Sequence, residues 1–93
     1  MPYKDKEVHK QYRIRRSADN LAFIREYKST MGCFDCGWNE HHAGLEFDHR
    51  EDKLLNVTAM TNYSREKLLA EIAKCDVVCG TCHNMRTWNR KQV

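Results

Sequence analysis

The sequence predicts a small α+β domain in which two short strands, flanked by helices, are held together by a structural zinc site with four cysteine ligands. Three observations predict it. The chain has 93 residues, enough for one domain and a modest core, a size at which folds often need a staple. Its cysteines include two C-x-x-C pairs, Cys33/Cys36 and Cys79/Cys82. Segments with helical apolar spacing alternate with two short β-prone runs, Leu45-Glu46-Phe47 and Val77-Val78.

Taken in order, residues 4–16 are polar and helix-permissive, with Tyr3, Tyr12 and Ile14 as their few apolar anchors. Ser17 or Asp19 is positioned to cap a second helix reaching about Lys28, with Leu21, Phe23, Ile24 and Tyr27 at helical spacing. Met31-Gly32 ends it and leads into a zinc knuckle, Cys33-Phe34-Asp35-Cys36-Gly37. Residues 38–44 are expected as a loop, and His41 and His42 as loop residues within it. Leu45-Glu46-Phe47 is the first strand and delivers Asp48 and His49 at its end. Residues 50–63 read as irregular, with a helical turn near Thr58, and Ser64 starts a helix carrying Leu68, Leu69 and Ile72 on one face. Val77-Val78 leads into the second cysteine pair, and a last helix is expected from His83 to about Lys91. Residues 1–30 thus form a basic helical arm, and residues 31–93 the zinc-stapled core of a single domain.

Five cysteines are an odd number for a disulfide framework. No apolar run follows Met1 and none is long enough to span a bilayer, so the expected setting is the cytoplasm, without a membrane. In such a reducing compartment, paired C-x-x-C units usually bind metal. Four thiolates at two x2 spacings suit tetrahedral Zn²⁺. The 42 residues between Cys36 and Cys79 make that site a clamp on two distant segments. Cys75 reads as a small buried apolar residue.

Charge is unevenly placed. Residues 1–30 carry a balance of +4, residues 31–80 one of −4, and residues 81–93 three basic residues with no acidic one. Positive flanks around an acidic middle suit a polyanion gripped at its ends around a cation-binding centre. Solvated helix faces would give the same count.

The insert between the cysteine pairs holds LEFDHR at residues 45–50, and His83 follows the last cysteine. Adjacent strand residues point to opposite sides, so Asp48 and His49 can serve different partners, and zinc closure would hold His83 rigidly. The joint pattern C-x-x-C … L-E-F-D-H … C-x-x-C-H over about residues 20–92 resembles the HNH, or ββα-metal, endonuclease family. The likeness is to its zinc-ribbon branch of phage and mobile-element type. The resemblance implies an antiparallel hairpin followed by a helix, and hydrolysis of DNA phosphodiesters with nicking or cleavage. It implies Asp48 and His83 as ligands of a catalytic Mg²⁺ or Mn²⁺, His49 as general base, and a bacterial or phage-infected cell as the setting. The family's middle Asn falls near Lys74, where none stands; a backbone carbonyl of Lys74 or Cys75 is the expected substitute for orienting His49. Thr87 stands where some relatives carry a third ligand.

The chemistry agrees with those roles. An imidazole titrates near neutral pH and can take a proton from water. A carboxylate with one imidazole leaves most of a cation's coordination sphere for water and phosphate. DNA is the expected partner. Arg86, Arg90 and Lys91 share one side of the last helix, and Arg13, Arg15 and Arg16, with Lys10 and Arg25, lie on the arm. Trp38 and Trp88 are expected in packing rather than base stacking. A monomer or a homodimer fits. The competing reading is a non-catalytic zinc-ribbon module that binds nucleic acid or protein.

Overall fold

A computed structural model describes the backbone of residues 2–91 and the side chains of residues 8–91. The elements are α1 (Pro2–Met31), β1 (Leu45–His49), α2 (Arg65–Ile72), β2 (Cys75–Cys79) and α3 (Gly80–Lys91), with short 3₁₀ turns at His42–Gly44 and Val57–Ala59. The strands pair antiparallel, Leu45 opposite Cys79 and His49 opposite Cys75. The result is the expected small α+β arrangement: a two-stranded sheet, three helices and a cluster of four cysteines.

The first 30 residues differ from expectation. One uninterrupted helix replaces the two that Ser17 or Asp19 was to separate. Ser17 caps nothing; its hydroxyl bonds Thr61 Oγ1 at 3.0 Å. No Gly or Pro stands between Tyr3 and Met31 to break the helix. Tyr12 and Ile14 are exposed rather than anchoring, and Tyr3 lies outside the described side chains. The C-terminal half of α1 is the part that packs. Ile24 is fully buried against Val57, Met60, Leu68, Ile72 and Cys75, while the N-terminal half projects, giving a molecule 57 × 29 × 17 Å.

Asn20 fastens the 61–63 loop to α1, its amide donating to the carbonyls of Thr61 and Tyr63 at 2.8 and 2.9 Å. At the other end Gly32 adopts φ +68°, its N–H bonding the Lys28 carbonyl at 2.8 Å; this left-handed turn stops the helix. Gly37, at φ +82°, closes the knuckle turn, its N–H donating to the Cys33 carbonyl at 2.8 Å. An added Cβ there would meet nothing within 4 Å, so its backbone conformation, not crowding, calls for glycine.

A second apolar cluster, Cys33, Leu45, Val77 and Val78, lies under the sheet. Tyr27 and Phe47 join it to the first, their rings stacked with centroids 6.1 Å apart. Ser64 caps α2 through the Lys67 N–H. Leu68 and Ile72 are buried as expected, but Leu69 is exposed. α3 begins at Gly80, so His83 sits a turn inside the helix rather than at its start. Trp88 and Trp38, both expected in packing, are exposed; Trp38 covers Gly44 with one edge of its ring. Among the described residues no helix is long and apolar enough to cross a membrane.

Candidate functional site

The sulfur atoms of Cys33, Cys36, Cys79 and Cys82 all lie within 4.8 Å of one another. Cys36 Sγ and Cys79 Sγ are 3.8 Å apart, which is the edge of a tetrahedron with metal–sulfur bonds of about 2.3 Å. Each pair follows one design. The Cys36 N–H points at Cys33 Sγ (3.4 Å) and the Cys82 N–H at Cys79 Sγ (3.5 Å), backbone donors suited to thiolates. The donor set therefore fits a single structural metal such as zinc. Such an ion would tie the loop after α1 to the β2–α3 junction. Cys75 stays apart, buried, its thiol pushed up to about 11 by that burial.

Alternation along β1 sorts its functional side chains onto two faces. Glu46 and Asp48 face α3; Phe47 and His49 face α1 and α2. On the α3 face His83 bridges two carboxylates. Its Nδ1 is hydrogen-bonded to Glu46 Oε1, and its Nε2 stands 3.4 Å from Asp48 Oδ1. With Nδ1–H donated to Glu46, the Nε2 lone pair of a neutral imidazole would face a carboxylate oxygen. That arrangement is repulsive unless a proton or a cation lies between them. Two ligands of one octahedral cation with bonds of about 2.1 Å stand about 3 Å apart; Asp48 Oδ1 and His83 Nε2 are wider than that, at 3.4 Å, and Oδ1 also accepts from Arg90. A carboxylate that fixes a histidine's tautomer is also the usual support behind a metal-binding imidazole.

Asp48 is 2% exposed and carries other partners. Arg90 grips both its oxygens, at 2.8 and 2.7 Å, and Arg86 Nη1 donates to Oδ2 at 2.7 Å. Hydrogen bonds from Arg90, and then from Arg86, hold its carboxyl at about 2 against the opposing effect of burial. Arg86 is further committed. It forks onto Asp35 of the knuckle with two bonds of 2.7 Å and donates to Asp76 at 3.0 Å. Asp48 and Asp76 are cross-strand partners, and like charges in that position repel; Arg86 offsets the repulsion. Arg86, expected at a phosphate, is thus engaged by three carboxylates. Arg90 is about half exposed and Lys91 is exposed.

On the other face His49 Nε2 meets Glu71 Oε2 at 2.9 Å. Glu71 is buried and also accepts from the Leu54 N–H at 2.9 Å and from Lys74 Nζ at 3.0 Å. Burial works against its charge, but the Leu54 N–H, Lys74 and His49 outweigh it and hold the carboxyl at about 2. An ionised carboxylate only accepts, so the His49 Nε2 carries the proton and Nδ1 is its basic atom. Glu71, not a carbonyl of Lys74 or Cys75, orients this ring; the Lys74 carbonyl accepts from the Arg50 N–H. The sequence does not single out Glu71, although a carboxylate between Leu68 and Ile72 on the apolar stripe of α2 is a signal.

His49 and His83 open onto one groove of about 250 Å³, whose other polar walls are Lys28, Glu46, Asn56 and Thr58. Lys28 is a buried cation that the sequence does not single out. Its Nζ donates to the Leu45 carbonyl at 3.0 Å, and burial lowers its pKa. Asp48 is not a wall of this groove; it lies beside His83 under the two arginines. Arg13, Arg15 and Arg16 are exposed on the projecting half of α1. Asn84 and Thr87 are exposed on α3, and the described hydrogen bonds and ion pairs do not tie Thr87 to Asp48 or His83. Comparison with protein-family models, with curated proteins and with solved structures finds no match to the chain.

Proposed function

We propose that the chain is a metal-dependent DNA endonuclease of the HNH kind, with Asp48 and His83 holding a catalytic Mg²⁺ or Mn²⁺ and His49 as general base. The observation that carries the proposal is the facing of His83 Nε2 and Asp48 Oδ1 at 3.4 Å, with Glu46 holding the other ring nitrogen. Support comes from the opposite side of the strand, where His49, oriented by the buried Glu71, opens onto the same groove as His83.

The residues divide the work. A divalent cation would supply charge neutralisation at the phosphate in the transition state. His49, with Nε2–H donated to Glu71, takes the proton of the attacking water at Nδ1. Asp48 must release Oδ1 from Arg90 to serve the cation; Arg90, on the exposed last turn of α3, exchanges that carboxylate for a DNA phosphate. Lys91 and, on the arm, Arg13 add sequence-independent phosphate contacts; Arg15 falls on the other side of α1, in a cleft with Val8 and Tyr12, and Arg16 donates to the Asn62 carbonyl. Arg86 stays in place, because three carboxylates need it. The four-cysteine zinc holds the frame and takes no chemical part.

One observation favours the second reading, a non-catalytic zinc-ribbon binding module: Asp48 has both oxygens engaged by guanidinium groups, as a purely structural ion-pair network would. Relaxation of supercoiled plasmid by zinc-loaded protein separates the two. Nicking that requires Mg²⁺ or Mn²⁺ and disappears in His83→Ala supports the nuclease. Folded wild-type protein that binds plasmid yet leaves it supercoiled with either cation supports the binding module.

A further inference from the structure

The projecting half of α1 offers a surface that the groove does not use, and one face of that helix joins the two. At 100° per residue, Lys10, Arg13, Ile14, Ser17, Leu21, Ile24 and Lys28 fall on the same side of α1. Lys28 lies in exact helical register with Lys10, five turns away, and is a wall of the groove that holds His49 and His83. Lys10 and Arg13 line a separate open cleft of about 510 Å³, together with Ser17 and Asn62. The acidic residues of this stretch, Asp19 and Glu26, fall on the opposite side of the helix and are exposed.

The 56–62 loop runs from one place to the other. Asn56 and Thr58 stand in the groove. Thr61 and Asn62 are held to α1 by Ser17, Asn20 and Arg16, the last donating to the Asn62 carbonyl at 3.1 Å. The four polar side chains on this stretch of loop are uncharged amides and hydroxyls, with no carboxylate to repel a phosphate.

We infer that the exposed N-terminal part of this face, Lys10 and Arg13 beside Asn62, is a second contact surface for duplex DNA, set at a fixed distance from the groove by the buried part of the helix between them. The inference rests on the nuclease reading, which supplies the groove as the place of the scissile phosphate. Lys10 and Lys28 are 18 residues apart, which at about 1.5 Å per residue is about 27 Å. A duplex rises about 3.4 Å per base pair, so the arm meets the backbone about 6 to 8 base pairs from the scissile bond. Charge complementarity selects the occupant: Lys10 and Arg13 are exposed cations, and the loop stretch beside them carries no carboxylate. A second copy of this arm would bring like charges together. A single strand lacks the stiffness to use a fixed spacing, so duplex is the form that gains from it.

The test compares two substitutions that remove the same charge from opposite sides of one helix. Arg13 is on the contact face; Arg15 lies on the far side, in another cleft with Val8 and Tyr12. Both are made in the zinc-loaded full chain carrying His49→Ala, so that DNA is bound without being cut. Binding to fluorescein-labelled hairpin duplexes with stems of about 6, 9, 12 and 18 base pairs is followed by anisotropy over a range of salt. The parent should gain affinity sharply once the stem exceeds about 8 base pairs. Arg13→Ala should flatten that gain, leave the shortest stem unaffected and reduce the salt slope by about one. Arg15→Ala should change neither. Equal effects of the two substitutions, or a uniform loss at every length, would overturn the inference, as would equal affinity for single strands of the same length. Plasmid nicking by the wild-type chain reports separately on the nuclease reading. Nicking without the length step removes the arm surface alone; the length step without nicking removes the nuclease alone.

Discussion

Half-buried His49 and buried Glu71 form a pair, Nε2 to Oε2 at 2.9 Å, across the space between β1 and α2. Glu71 also holds the first loop residues after the strand through the Leu54 N–H, and Lys74 at the end of its own helix. One carboxylate therefore sets the ring orientation of the proposed base and fastens the loop beside it. Glu71→Gln keeps the shape and one acceptor but removes the charge. It should lower the plasmid-nicking rate at least about 10-fold, with a stability loss of about 1–3 kcal/mol in urea unfolding. A variant that nicks at the wild-type rate would show that His49 needs no carboxylate.

The same pair sets a pH dependence. Glu71 is held at about 2 in the folded chain, below its ordinary 4.5. A depressed carboxyl contributes stability that is present in full above the unfolded value and is lost as pH falls through the folded one. The stability difference between wild type and Glu71→Gln should thus be constant above about pH 5 and shrink between about pH 4.5 and 2. Taking the difference cancels acid release of zinc, which affects both proteins. Thermal melts across that range would show it, and a difference that grows on acidification would contradict it.

Arg86 and Arg90 should separate cleanly. Arg86 is about one-fifth exposed and answers Asp35, Asp48 and Asp76 together. Arg86→Ala strands Asp35, takes one donor each from Asp48 and Asp76, which keep Arg90 and Arg50, and cuts the link between three segments; it should cost about 3 kcal/mol. Arg90→Ala takes the two-bond partner from buried Asp48, which keeps Arg86, and should cost about 1–2 kcal/mol and weaken DNA binding as well. Urea unfolding and DNA titration of both variants test the contrast, which fails if both lose stability equally.

The metals should behave as two classes. Zinc should be present at one per chain, and its removal by a strong thiol-directed chelator should abolish cooperative melting followed by circular dichroism. Mild chelation of the loosely held cation should stop nicking and leave the melt unchanged. A melting transition indifferent to zinc loss would exclude the clamp.

How much of this is legible in the sequence depends on whether partners are near one another in the chain. Both C-x-x-C pairs, the two strands and the Ser64 cap are local patterns, and the strands carry Asp48 and His49 on opposite faces as alternation requires. The unbroken α1 is not legible, because Ser17 reads as a cap until Thr61 is known to be its partner. Arg86 reads as a phosphate contact because its carboxylates come from residues 35, 48 and 76, three separate segments. Glu71 and Lys28 acquire meaning only when the groove forms between α1, β1 and the 50–63 loop.

The central claim is that His49 removes a proton from water at a phosphodiester. Single-turnover nicking of supercoiled plasmid, with Mg²⁺ or Mn²⁺, by zinc-loaded wild type and by His49→Ala of matched melting temperature tests it most directly. Wild type should nick only with the cation, and the variant should lose about 100-fold or more of that rate. Nicking that survives His49→Ala unchanged would contradict it.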